Sequence, residues 1–90
     1  MTDMLGNILS ERTARYGAFT GHANITQTIK TIMRAQGHWH KLSADQAEAL
    51  EMIAHKIGRI LNGDPNYADN WIDIAGYLKL VADRLERSEQ

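Results

Sequence analysis

Apolar residues recur three and four positions apart along nearly the whole of this 90-residue chain, and no stretch of them alternates convincingly. That spacing returns side chains to one face of an α-helix, whereas a strand needs a period of two, so the chain is predicted to be all-α. Four helices are expected, at about residues 3–15, 23–36, 44–62 and 66–86. Their candidate core stripes are Leu5, Ile8 and Leu9; then Ile25, Ile29, Ile32 and Met33; then Ala47, Leu50, Ala54, Ile57 and Leu61; and finally Trp71, Ala75, Leu78, Ala82 and Leu85. The boundaries have local causes. Residues 16–21 hold two glycines around an aromatic and read as a connector, and Gly37 ends the second helix. Ser43 with Gln46 forms a capping box for the third, which Asn62-Gly63 stops. Asp64-Pro65 resembles a cap followed by proline at the first helical position, and the polar tail, residues 86–90, is expected to fray.

At 10.1 kDa the chain holds one domain, residues 1–90, with one small core, so a small bundle of four helices completed by oligomerisation is expected. A composition 43% hydrophobic and 23% charged, with one proline, excludes disordered and collagen-like classes. No apolar run approaches membrane length, so no membrane partner is expected. The absence of cysteine excludes a disulfide scaffold, a thiolate zinc site and cysteine nucleophilic catalysis. Ten basic against eleven acidic side chains leave a net charge of −1, so bulk attraction to nucleic acid is not expected. A helix-turn-helix reader would need a basic second helix, and Lys30 and Arg34 are its only cations. The first six residues are neither basic nor strongly apolar, so no signal peptide is read and a cytoplasmic location is expected.

Chemistry-bearing residues concentrate on the last two helices. On the third, Glu48, Glu51, His55, Arg59 and Asn62 fall within about 80° of one another. On the fourth, Asp69, Asp73 and Gly76 align, with Tyr77 at the margin. Packed as an antiparallel hairpin, the two helices can gather Glu48, Glu51, Asp69 and Asp73 around a hard divalent cation such as Mg2+. Lys56 and Arg59 would then meet phosphate oxygens, and His55, one turn after Glu51, is the candidate catalytic proton acceptor. Arg15 and Tyr16 can pair with a phosphate and stack on a base, with Tyr77 as a further binding residue. The same spacings also describe solvated helix faces, where acid pairs and i,i+4 partners are commonplace. Ile72, Leu80 and Met52 on or beside those faces suggest that another subunit covers them. Gly58 and Gly76 lie inside helices, which implies tight helix packing or close approach of a ligand or partner helix. His38 and His40 lack a third ligand for zinc, and His22 can cap the second helix or reach a ligand.

The motif Glu48-x-x-Glu51, eighteen residues, then Asn70-x-x-Asp73 resembles the ExxE…ExxD signature of the MazG-like all-α nucleoside triphosphate pyrophosphohydrolases, with Asn70 in place of the third acid. Arg15-Tyr16-Gly17, Lys56-x-x-Arg59 and Asp69-x-Trp71-x-Asp73-Ile74-x-Gly76-Tyr77, met in that order across residues 11–85, are similar to a family of small phage and prophage proteins of uncharacterised function. The resemblance implies a helical bundle that assembles as a homodimer or tetramer, with nucleotide sites where helices meet and magnesium on the acids. Two functions are therefore expected to compete. One is Mg2+-dependent binding of a nucleotide-like ligand, with hydrolysis of a nucleoside triphosphate to monophosphate and pyrophosphate as the reaction. The other is a non-catalytic, oligomeric interaction or ligand-sequestering protein.

Overall fold

The computed structural model describes residues 4–89. Among these residues the order is α1 (Met4–Tyr16), α2 (Phe19–Arg34), a 3-10 turn (Trp39–Lys41), α3 (Ala44–Asn62) and α4 (Ala68–Glu89), an all-α bundle as the periodicity predicts. The predicted start at residue 3 lies outside the described residues. Helix α3 is the spine: α2 and α4 both pack along it, and α1 lies against α2 and α3. The particle is elongated, 57 × 27 × 24 Å. No helix among the described residues is long and apolar enough to cross a membrane.

Helix α2 begins four residues before its predicted start because the connector shrinks to Gly17 and Ala18. Gly17 takes φ +78°, a left-handed conformation that disfavours a Cβ, and Ala18 is the extended N-cap. Asn62, at the end of α3, fixes this turn by donating Nδ2 to the carbonyls of Tyr16 (2.9 Å) and Ala18 (2.8 Å). The Asp64 amide adds a third tie, 2.7 Å to the Arg15 carbonyl. The capping box of α3 forms as expected, with the Ser43 amide 2.9 Å from Gln46 Oε1. Pro65 does not open α4 but lies in a turn before it, where the Asp64 carboxylate accepts the Asn66 N–H at 2.9 Å. At the other end α4 continues to Glu89 instead of fraying from residue 86. Arg84 anchors that half to the first turn of α3, 2.7 Å from Asp45 Oδ1 and 2.8 Å from Oδ2.

The main correction concerns the face that α4 buries. Its predicted core stripe points outward: Trp71 is 55%, Leu78 53% and Leu85 37% exposed, and Ala75 and Ala82 are exposed too. Asn70, 1% exposed, and half-buried Asp73, Ile74, Tyr77 and Val81 lie on the covered side instead. On this side α3 supplies partners for the charged groups, Lys56 for Asp73 and Asp45 for Arg84, while the buried Asn70 Nδ2 has no hydrogen-bond partner among the described residues. On α3 itself Ala54 is buried, whereas Leu50 and Leu61 are exposed. The apolar side chains buried in the described chain are only Ala49, Ala54 and Ile60, beside the polar His22, Thr26, Lys56 and Asn70.

Candidate functional site

Where α2 crosses α3, the helix backbones approach so closely that a Cβ at Gly58 would overlap Thr26 Oγ1 and come within 2.9 Å of His22 Nδ1. Gly58 therefore serves tight helix packing. Gly76, by contrast, has nothing within 4 Å of its Cβ position. The close crossing brings His22 to His55, Nε2 to Nδ1, at 3.2 Å, with the rings edge to face and 4.5 Å between centroids. Thr26 Oγ1 lies 3.5 Å from the same His22 nitrogen. The buried His22 Nδ1 has no hydrogen-bond partner among the described residues.

The histidine pair forms the floor of a cleft of about 250 Å³ between α1, α2 and the C-terminal half of α3. Arg12, Tyr16, Phe19 and Arg59 surround it, with Leu9, Thr13 and Gly17 completing the wall. Arg59 lies over the Tyr16 ring, its guanidinium carbon 4.3 Å from the centroid, which holds the cation at the rim. Among the described residues no carboxylate lines the cleft. Burial, then the nearby charge of Arg59, His22, Lys56 and Lys30, lowers the His55 pKa to about 4. Burial lowers that of His22 as well, offset in part by the Gly58 backbone and reinforced by Arg59 and Lys30. At neutral pH both rings are thus uncharged. In the neutral pair one ring donates the shared proton and the other accepts it.

Of the residues singled out by sequence, Tyr16, His22, His55 and Arg59 meet in this cleft, whereas Arg15, Lys56, Tyr77 and the four acids do not line it. Arg15 turns to the Tyr67 ring, 5.0 Å from its centroid, and Tyr67 in turn meets Tyr16 edge to face at 6.1 Å. Lys56 is buried in an ion pair with Asp73 at 2.8 Å. Tyr77 and Glu48 line a separate groove between α3 and α4. Glu51 pairs with Arg34, and Asp69 accepts the Tyr67 hydroxyl at 2.9 Å. Glu48, Glu51, Asp69 and Asp73 therefore engage separate surroundings, and among the described residues no group of three or more His, Cys, Asp or Glu is placed to hold a metal ion. His38, which precedes the 3-10 turn, and His40, within it, are both exposed.

Over residues 2–85 the sequence matches the family described as Domain of unknown function (DUF6378). The chain belongs to the DUF6378 family. No curated protein and no solved structure matches it. In this DUF6378 chain the cleft also draws on Arg12 and Phe19, which the sequence motifs do not assign to a site. Arg12 precedes Tyr16 by four residues, so the two share a helical face, and that spacing was the available signal. For Phe19 there is none, because the predicted connector places it outside any helix; His22, expected to cap the second helix or reach a ligand, lies inside α2 and lines the cleft.

Proposed function

We propose that the protein binds an anionic, aromatic ligand of the nucleotide class in the cleft between α1, α2 and α3. One observation carries this reading: Arg12, Arg59 and two histidines share a concave site with Tyr16 and Phe19, and among the described residues no carboxylate lines it. Guanidinium groups recognise phosphate oxygens through paired donors, and exposed Phe19 offers a face on which a base can stack. Magnesium enters the proposal on the phosphates of the ligand, because Glu51 and Asp73 already neutralise Arg34 and Lys56. The MazG-like resemblance points to the same ligand class. Within one chain the separated acids favour binding over turnover.

Thermal unfolding with nucleoside mono-, di- and triphosphates and with inorganic phosphate, each with and without magnesium, tests the reading. A bound nucleotide at one hundred times its Kd is expected to raise Tm by about 10–20 °C, and Arg59→Ala or Arg12→Ala to abolish the shift. No shift with any nucleotide, or a shift that both variants retain, would overturn it.

A further inference from the structure

The chain exposes 6507 Å², whereas a compact monomer of its mass exposes about 5,300 Å². Two copies that each covered the excess would together bury about 2,400 Å², within the range of obligate homodimers. The outward stripe of α4 has the form such an interface requires. Ala68, Trp71, Ala75, Leu78, Ala82 and Leu85 follow spacings of three and four, the a and d positions of a coiled-coil seam, and all six are exposed. Every a position is alanine and every d position is large. The Trp71 indole N–H already donates to the Pro65 carbonyl at 2.8 Å, so its remaining ring surface is apolar.

Reversed against itself, this stripe is its own complement. In an antiparallel pair, a positions face d positions, so Ala68 meets Leu85, Trp71 meets Ala82 and Ala75 meets Leu78, each large side chain against an alanine. A parallel pair would stack alanine on alanine and Trp or Leu on its like, leaving voids between crowded layers. We propose that α4 pairs antiparallel with α4 of a second copy of this chain through this stripe. The interface uses none of the residues that line the proposed ligand cleft, so the two ideas stand or fall separately.

The chain contains no cysteine, so introduced thiols report contacts cleanly. Light scattering on the full chain should give the mass of a dimer or of a larger assembly built from it, and a monomer overturns the proposal. Chains carrying Ala68→Cys or Leu85→Cys are oxidised separately and after co-expression. Antiparallel pairing brings residue 68 beside residue 85 of the second copy and holds like residues about 25 Å apart along the axis. A disulfide-linked dimer is expected only from co-expressed chains; a link in either chain alone, or none in the mixture, overturns the pairing. Leu78→Glu should raise the dimer dissociation constant by at least about 100-fold. Should that variant fail to fold, Ala75→Leu, which overpacks two layers, is compared with Ala75→Leu/Leu78→Ala, which exchanges large for small across the same layers. Recovery of the dimer in the double variant supports the pairing, and continued dissociation overturns it.

Discussion

Lys56 Nζ lies 2.8 Å from Asp73 Oδ2, the lysine buried and the aspartate at the solvent edge. Sequence spacing assigned these two residues to a phosphate and a metal ion; in the fold they answer each other. A buried ammonium without a counter-charge is costly, so this pair explains why the polar side of α4 turns inward. Once that side is committed to α3, the apolar stripe has no cover among the described residues. The ion pair and the exposed seam are thus two consequences of one helix orientation.

Removing the carboxylate should expose that cost. Asp73→Asn is expected to destabilise the protein by about 2 kcal/mol, less than for a fully enclosed pair because Asp73 stays partly wet. Lys56→Met added to Asp73→Asn should restore most of the loss, since no buried charge then remains. Urea unfolding of the wild type, the single and the double variant measures both changes. A neutral single variant would show that Lys56 does not depend on this partner.

The two helical glycines make a sharper pair. Gly58→Ala is expected to cost about 1–3 kcal/mol, because its methyl would press on Thr26 and His22 at the closest α2–α3 approach. Gly76→Ala meets nothing within 4 Å and lies off the α4 seam, so helix propensity should make it stabilising by about 0.5–1 kcal/mol. Opposite signs in the urea midpoints check the assignment. Equal losses would place a close neighbour at Gly76 as well.

Helix positions were legible because periodicity and caps are local properties: the span of α3 and its Ser43-Gln46 capping box follow directly from the residues. Burial was not, because it depends on which surface finds a partner. Trp71, Ala75, Leu78, Ala82 and Leu85 satisfy every pattern for a core stripe, yet a stripe that packs across copies has the same pattern as one that packs within a chain. The cleft was half legible for a related reason. Tyr16, His55 and Arg59 carry evident chemistry, but their meeting with His22 and Phe19 depends on a two-residue turn fixed by Asn62 from 44–46 positions away. Local spacing contains no trace of that tie.

Stability should also respond to mild acid. The His55 pKa falls from 6.5 to about 4 on folding, and that of His22 is lowered too, both mainly by burial. Between those values the unfolded chain binds more protons than the folded one, so stability rises with pH across this window and is lost as pH falls through it. For His55, discounted for its partial exposure, the loss between pH 7 and pH 4.5 is about 1–2 kcal/mol. His55→Gln should flatten that part of the profile measured by urea unfolding. An unchanged slope would mean that other groups carry it.

The same histidines should couple ligand uptake to protons. In the free protein burial, reinforced by the positive charge of Arg59, Lys56 and Lys30, holds His55 neutral. A phosphate seated between Arg12 and Arg59 would reverse that local field and favour the imidazolium. The pair can take one proton without losing its contact, because His22 protonated at both nitrogens still donates Nε2–H to His55 Nδ1, and transfer of that hydrogen leaves the charge on His55. A second proton would set two N–H groups against each other across 3.2 Å. Nucleotide binding is therefore expected to take up a measurable fraction of a proton per site, never more than one, and to tighten several-fold as pH falls from 8 to 6. Calorimetry in buffers of different ionisation enthalpy reads the proton number directly. His55→Gln should lower it while leaving the affinity at pH 8 within about threefold, since Arg12 and Arg59 still hold the phosphate. Binding without proton uptake in the wild type would remove the histidine pair from ligand recognition, and leave the arginines and aromatics as the working part of the cleft.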